Sequence, residues 1–169
     1  MSEYKRIRVL ACDHLNLARG KYLSPAAALK NVTHLSIGTY ALGYDRVMTP
    51  APGTLMYDGL PDMDAIFDVS SIQRGWEHET GIVIADFYRN DKPLPMCGRS
   101  RLKQSIVNWK NHGLEPVIGI EFEAFVFQRS ENGGWEPYNT PGAFVYGTGS
   151  IVDPDRLMDL IWEHAHKCG

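Results

Sequence analysis

The order of local signals along the chain predicts an α+β fold. Strand and turn signals fill roughly the first hundred residues, and a helix, a strand and a second helix follow. The composition supports a packed core: over 169 residues, 44% are hydrophobic, 11% aromatic and 22% charged. No internal repeat or low-complexity tract interrupts it. The natural boundary lies at Arg99 to Lys103, where a proline-punctuated stretch hands over to the first long helix, giving domains 1–100 and 101–169. The second part holds one good strand, and one strand cannot make a sheet, so unless it adds to the first part's sheet it reads as unfinished.

From Arg6 to Cys12, Ile7, Val9 and Ala11 alternate with Arg8, Leu10 and Cys12, which predicts a short strand. Asp13 to Lys21 reads as a connection. Ser24 before Pro25 supplies an N-cap with proline at the first helical position, so Pro25 to Asn31 reads as a short helix. Residues 33–65 carry Gly38, Gly43, Pro50, Pro52, Gly53, Gly59 and Pro61, and that density of breakers predicts loops with brief strands at most. A loop that long is uncommon unless it is functional or ordered by a partner, which marks an interface or active-site region. Gly81 to Tyr88 is a β-branched and aromatic run closed by Arg89-Asn90-Asp91-Lys92, hence one strand and a turn. Ser100 is the candidate cap of a helix with Leu102, Ile106 and Trp109 on its stripe, stopped at His112-Gly113. Pro116 to Phe127 is the strongest strand signal, and Asn132-Gly133-Gly134 marks a turn after it. Asp153 and Pro154 open a last helix that ends at Gly169.

Charge and hydropathy exclude whole classes of function. With 17 Lys+Arg against 20 Asp+Glu the net charge is −3, and no Lys/Arg-rich run offers a footprint for nucleic acid. No window approaches the roughly 18 apolar residues of a membrane helix. Met1 to Arg8 lacks an apolar secretory core, which favours a cytoplasmic address. Cys12, Cys97 and Cys168 are an odd, widely spaced set and read as reduced thiols; Cys97 has no adjacent base that would make it a nucleophile. His164 and His166 are two apart on a helix, do not share a face and make no metal pair. Trp109, Trp135 and Trp162 read as packing residues.

The window Val117 to Phe127 (VIGIEFEAFVF) carries the chemistry. On a strand, Glu121 and Glu123 project to the same side with Cα atoms roughly 6.5–7 Å apart, close enough to share one hard cation or to bind two neighbours. A solvent-facing pair on an exposed sheet is the plain alternative. The rest of that face is Val117, Gly119, Phe125 and Phe127, so the carboxylates enter an apolar cleft, where burial without a metal or basic partners costs several kcal/mol each.

GIEFEAFVF resembles the Glu-x-Glu strand that opens the catalytic domain of the glutamine synthetase family. Other segments are similar in order and spacing. Asp13 to Lys21 (DHLNLARGK) resembles the family's D-x-x-G-x-x-R-G-K segment, with Asn16 in place of the glycine. Phe67 to Ile72 (FDVSSI), followed by Trp76, resembles its F-D-G-S-S-I…W loop, with Val69 in place of glycine and an added residue before the tryptophan. Arg99 to Lys103 resembles a P-R-x-x-L-K stretch, and Thr140 to Gly149 the glycine- and tyrosine-bearing connection after the metal strand.

The resemblance implies a β-grasp N-terminal domain followed by the first helix, strand and helix of a catalytic domain. It implies that Glu121 and Glu123 hold divalent metals, Mg2+ or Mn2+. It implies that Asp68 binds and deprotonates the incoming ammonium across a subunit interface of a homo-oligomer, with Ser71 at the nearby hydroxyl position; from local sequence alone, Asp68 is an Asx-turn residue beside Ser70 and Ser71. The reaction implied is ATP-dependent: the side chain of glutamate is phosphorylated, and ammonia or another amine displaces phosphate to give a γ-glutamyl amide. The nucleotide site and further ligands lie beyond the position matching Gly169, so the 169-residue chain by itself is expected to be inactive as a ligase. The alternatives are a naturally short, non-catalytic subunit that pairs with a full-length relative, and a metal-dependent hydrolase using Glu121 and Glu123.

Overall fold

The computed structural model describes residues 3–142 and 146–168. Contacts divide the chain into two compact units, the first running to Pro116 and including Cys168, the second Val117–Lys167.

In the first unit, strand β1 (Arg6–Cys12) buries Ile7, Val9 and Ala11, the face expected from its alternation. It pairs antiparallel with β2 (Ala18–Leu23) in the register Ile7 with Leu23 and Cys12 with Ala18. The expected connection from Asp13 to Lys21 is therefore corrected: only Asp13 to Leu17 is a turn. Polar Arg19, Lys21 and Tyr22 hide the second strand's signal: Lys21 and Tyr22 are exposed on an edge strand, and Arg19 turns to Asp13. Gly20 is demanded by the pairing, because a Cβ there would stand 2.0 Å from the Val9 carbonyl oxygen. Helix α1 (Pro25–Ala28) follows, shorter than the expected Pro25 to Asn31, with Asn31 left-handed at φ 53°; Ser24 caps it, its Oγ accepting from the Ala27 N–H at 3.2 Å. β3 (Val32–Ser36) and β4 (Asp62–Ile66) bracket the breaker-rich region, which holds short 3₁₀ turns at Ile37–Ala41 and Met56–Asp58.

β5 (Gln73–Arg74), β6 (Thr80–Ile84), β7 (Asp86–Arg89) and β8 (Lys92–Pro93) complete two four-stranded sheets. One has the order β2-β1-β6-β5 with β1 and β6 parallel, a mixed sheet. The other is antiparallel, β3-β4-β7-β8. Gly81 to Tyr88 is thus not one strand but two, split at Ala85, whose N–H donates to the Leu10 carbonyl at 2.7 Å before the chain crosses into the second sheet. Ile7, Val9 and Val83 of one sheet and Met63, Ala65 and Phe87 of the other belong to one core cluster. Helix α2 (Gly98–Asn111) leaves from Cys97 rather than Ser100, and Cys97 makes no side-chain cap. Its thiol is in the core instead, accepting from the Phe87 N–H at 3.5 Å. The helix stops as expected, with Gly113 at φ +72°.

In the second unit the expected strand from Pro116 to Phe127 is corrected. Leu114 to Val126 has no regular structure among the described residues, and Val117, Phe122 and Phe125 are each more than 90% exposed. Strand propensity becomes a strand only where a neighbour supplies hydrogen-bond partners. Among the described residues of this unit such pairing is found from Phe127 on, where β9 (Phe127–Arg129) and β10 (Trp135–Pro137) form a hairpin over Gly133 at φ +79°. Helix α3 (Leu157–Cys168) begins later than expected, because Arg156 is left-handed at φ 56°. Asp153 still caps it at a distance, accepting from the Leu157 and Met158 N–H groups at 2.8 Å each. Ala143 to Val145, inside the Thr140–Gly149 segment, and the helix end at Gly169 lie outside the described residues. Trp109, Trp135 and Trp162 are half or more exposed and do not pack as expected; Trp135 lies under the Arg129 guanidinium, 4.1 Å from Cζ to the ring centre.

Candidate functional site

Phe67 anchors the loop that follows β4: its side chain is buried and its N–H donates to the Asn31 carbonyl at 3.0 Å. Asp68 then emerges exposed at the start of a 3₁₀ turn, Val69–Ser71. Its Oδ1 accepts from the Ser70 hydroxyl at 2.7 Å and the Ser70 N–H at 2.8 Å, and Ser71 Oγ donates to the Asp68 carbonyl at 2.8 Å. This is the Asx turn that the local sequence implies. The Ser70 hydroxyl and then the Ser70 N–H hold the carboxyl below its usual range, so at neutral pH Asp68 is a fixed, exposed anion.

Asp68 and Ser71 line one groove of about 550 Å³. Ile66, Ile84 and Tyr88 supply apolar wall, and Asn31, Asp86, Arg99 and Lys103 complete the polar lining. Asp86 opens β7. Its Oδ1 lies 3.1 Å from Arg99 Nε, an ion pair without hydrogen-bond alignment, and its Oδ2 accepts from Lys103 Nζ. Arg99 and Lys103 are four residues apart, so they share a face of α2. Sequence reasoning read the 99–103 stretch as a boundary and a P-R-x-x-L-K-like segment, gave it no chemical role and did not single out Asp86. The readable signal was two cations at helical spacing after an acidic residue at a strand start.

The turn between β1 and β2 is built around Asp13. Its Oδ1 accepts from the Leu15 and Leu17 N–H groups at 2.8 and 2.9 Å, and Arg19 Nε donates to its Oδ2 at 2.7 Å. Burial pushes the carboxyl up, but the Arg19 guanidinium and the two N–H donors outweigh it and hold it below the usual range. Asn16 sits at φ 60°, in the left-handed region that favours glycine and admits asparagine most readily among other residues.

Glu121 and Glu123 are exposed within the irregular stretch of the second unit. Two carboxylates are hard oxygen donors suited to a divalent cation. Among the described residues no group of three or more His, Cys, Asp or Glu side chains that could hold a metal ion is formed, and the expected strand face and apolar cleft around Glu121 and Glu123 are not formed either.

No family model matches the sequence. Over 132 residues the chain is 31% identical to type-1 glutamine synthetase 2 of Dictyostelium discoideum, a match covering 75% of this chain and 25% of that protein. The chain is related to the glutamine synthetases. It spans about a quarter of the length of that glutamine synthetase. A crystal structure of a novel glutamine synthase homolog matches with a TM-score of 0.54 at 15% identity, over 64% of this chain and 27% of that one, and shows the shared fold. A GmaS–ADP complex matches with a TM-score of 0.49 at 23% identity, over 65% and 24%. Within a glutamine synthetase-type fold, the glycine and asparagine found at Gly20 and Asn16 have a physical reason. One keeps a Cβ out of a backbone carbonyl, and the other accepts a left-handed turn. No helix is long and apolar enough to cross a membrane among the described residues.

Proposed function

We propose that this chain carries the amine-receiving part of a glutamine synthetase-like, ATP-dependent ligase that joins glutamate to ammonia or another amine as a γ-glutamyl amide. Residues 1–100 are its β-grasp domain and residues 101–169 the opening of its catalytic domain. The observation that carries the reading is Asp68: an ionised, exposed carboxylate on a turn fixed by Ser70 and Ser71, at the wall of a groove. A fixed anion attracts and orients an ammonium ion; as a weak base it would receive the proton only as the neutral amine is captured by an acyl phosphate. Ser71 is the adjacent hydroxyl. Glu121 and Glu123 are the share of the metal ligands that this chain contributes. The metal, Mg2+ or Mn2+, would neutralise charge on the phosphoryl group that ATP transfers to glutamate. Sites of this kind lie between subunits of a homo-oligomer, and the exposed Asp68 turn is the element that would reach across.

NMR titration tests this. Ammonium or an alkylammonium chloride, but not sodium chloride at the same ionic strength, is expected to shift the Ser70 and Ser71 amides, and Asp68→Asn to abolish the shift. Equal responses to both salts would overturn the reading. The same turn would also suit a non-catalytic subunit docking on a longer ligase. Co-purification with such a ligase, lost in Asp68→Asn and accompanied by a silent amine titration, would favour that reading.

A further inference from the structure

Helix α2 is attached to the first unit in an unusual way. It buries none of its residues, and Leu102 and Trp109 on its stripe remain half exposed, so apolar packing holds it weakly. Its N-terminus also carries the wrong charge. The first turn has no acidic residue and no side-chain cap, while Arg99 and Arg101 sit at the positive end of the helix dipole and Lys103 follows one turn after Arg99. Helices of this length normally place acidic groups there. The missing negative charge comes from Asp86 on β7, whose side chain is only 14% exposed and pairs with both Arg99 and Lys103. Arg101 adds a bond from Nε to the Pro95 carbonyl at 3.0 Å.

We propose that Asp86 is an electrostatic latch: one carboxylate on β7 that fastens the cationic N-terminal half of α2 to the sheet and holds Arg99 and Lys103 in the wall of the Asp68 groove. The helix docks through charge rather than through burial, so ionic strength governs its attachment. This goes beyond the amine-ligase reading and does not depend on it.

Hydrogen exchange on the full chain tests the latch. In the wild-type protein, exchange of the α2 amides from Leu102 to Asn111 is expected to quicken by roughly tenfold between low and high salt, the scale of a small ion-pair network opening. The β1 and β6 amides should keep their rates. Asp86→Asn, nearly isosteric and uncharged, should show the fast α2 rate already at low salt and no further salt dependence. Asp86→Glu, which keeps the charge, should retain the salt dependence. Should Asp86→Asn fail to fold, the double substitution Arg99→Gln, Lys103→Gln on the exposed side of the pair carries the same expectation. Salt-independent α2 exchange in the wild-type protein would overturn the latch. So would an Asp86→Asn variant that keeps α2 protected, or one that exposes β1 and β6 as much as α2, which would mark Asp86 as a general support of the fold.

Discussion

Asp13 and Asp68 are both carboxyls held below their usual range, and they do opposite things with that property. Asp13 has no exposed side-chain surface and spends its lone pairs on two backbone N–H groups and Arg19. Asp68 is open to solvent and retains an oxygen for a ligand. Replacing Asp13 by Asn keeps the shape but removes the charge that Arg19 faces. Asp13→Asn is therefore expected to lose about 3 kcal/mol in urea unfolding at neutral pH. The pH dependence follows from the lowered folded-state value. The stabilisation is complete above the unfolded carboxyl's ordinary value, 3.8, and disappears as pH falls through the lower folded one. The wild-type protein should thus lose stability below about pH 4 more steeply than Asp13→Asn; parallel curves would refute the assignment. Asp68 was legible as an Asx turn from Ser70 and Ser71 alone, because that geometry is written within three residues. Asp86 was not, because its partners arrive 13 and 17 positions later on a different element.

Elements whose signals are local were readable, and elements defined by a partner were not. β1, α1 with its Ser24 cap, and the Gly113 stop of α2 follow from side-chain alternation, capping and glycine. The run from Gly81 to Tyr88 looks uniform because β-branched and aromatic residues suit either sheet; only the Ala85 to Leu10 hydrogen bond divides it. Val117 to Val126 carries the strongest propensity in the chain and has no strand, since no described residue of the second unit pairs with it as a strand. β2 shows the converse, with weak propensity overridden by six paired positions against β1. The β1–β2 pairing yields a sharp prediction. Gly20→Ala places a methyl group into the Val9 carbonyl and must break the hairpin. Thermal unfolding should report a loss of about 3 kcal/mol or more, whereas Gly133→Ala, with open space around it, should cost about 1 kcal/mol for its left-handed backbone alone.

At the scale of the whole molecule, the two units differ in how they satisfy their apolar residues. The first draws Ile7, Val9, Met63 and Phe87 into one core. The second leaves Val117, Ile118, Ile120, Phe122 and Phe125 exposed along one stretch. Contiguous apolar surface with unpaired backbone promotes association. Light scattering should show a mass that rises with protein concentration, and Ile120→Lys with Phe122→Lys should suppress the rise; a constant monomer mass for the wild-type chain would refute this. The parallel pairing of β1 with β6 bears on how the first unit comes into being. Arg6 is matched to Thr80, and Leu10 to Ile84, so the centre of that sheet joins the two ends of a long intervening chain. Synthesis must pass Ile84 before the pair can close, and until then the edge of β1 that β6 covers has no partner. Folding is consequently governed by a late, non-local encounter, slow by the standards of local helical folds and exposed to chaperones throughout the wait.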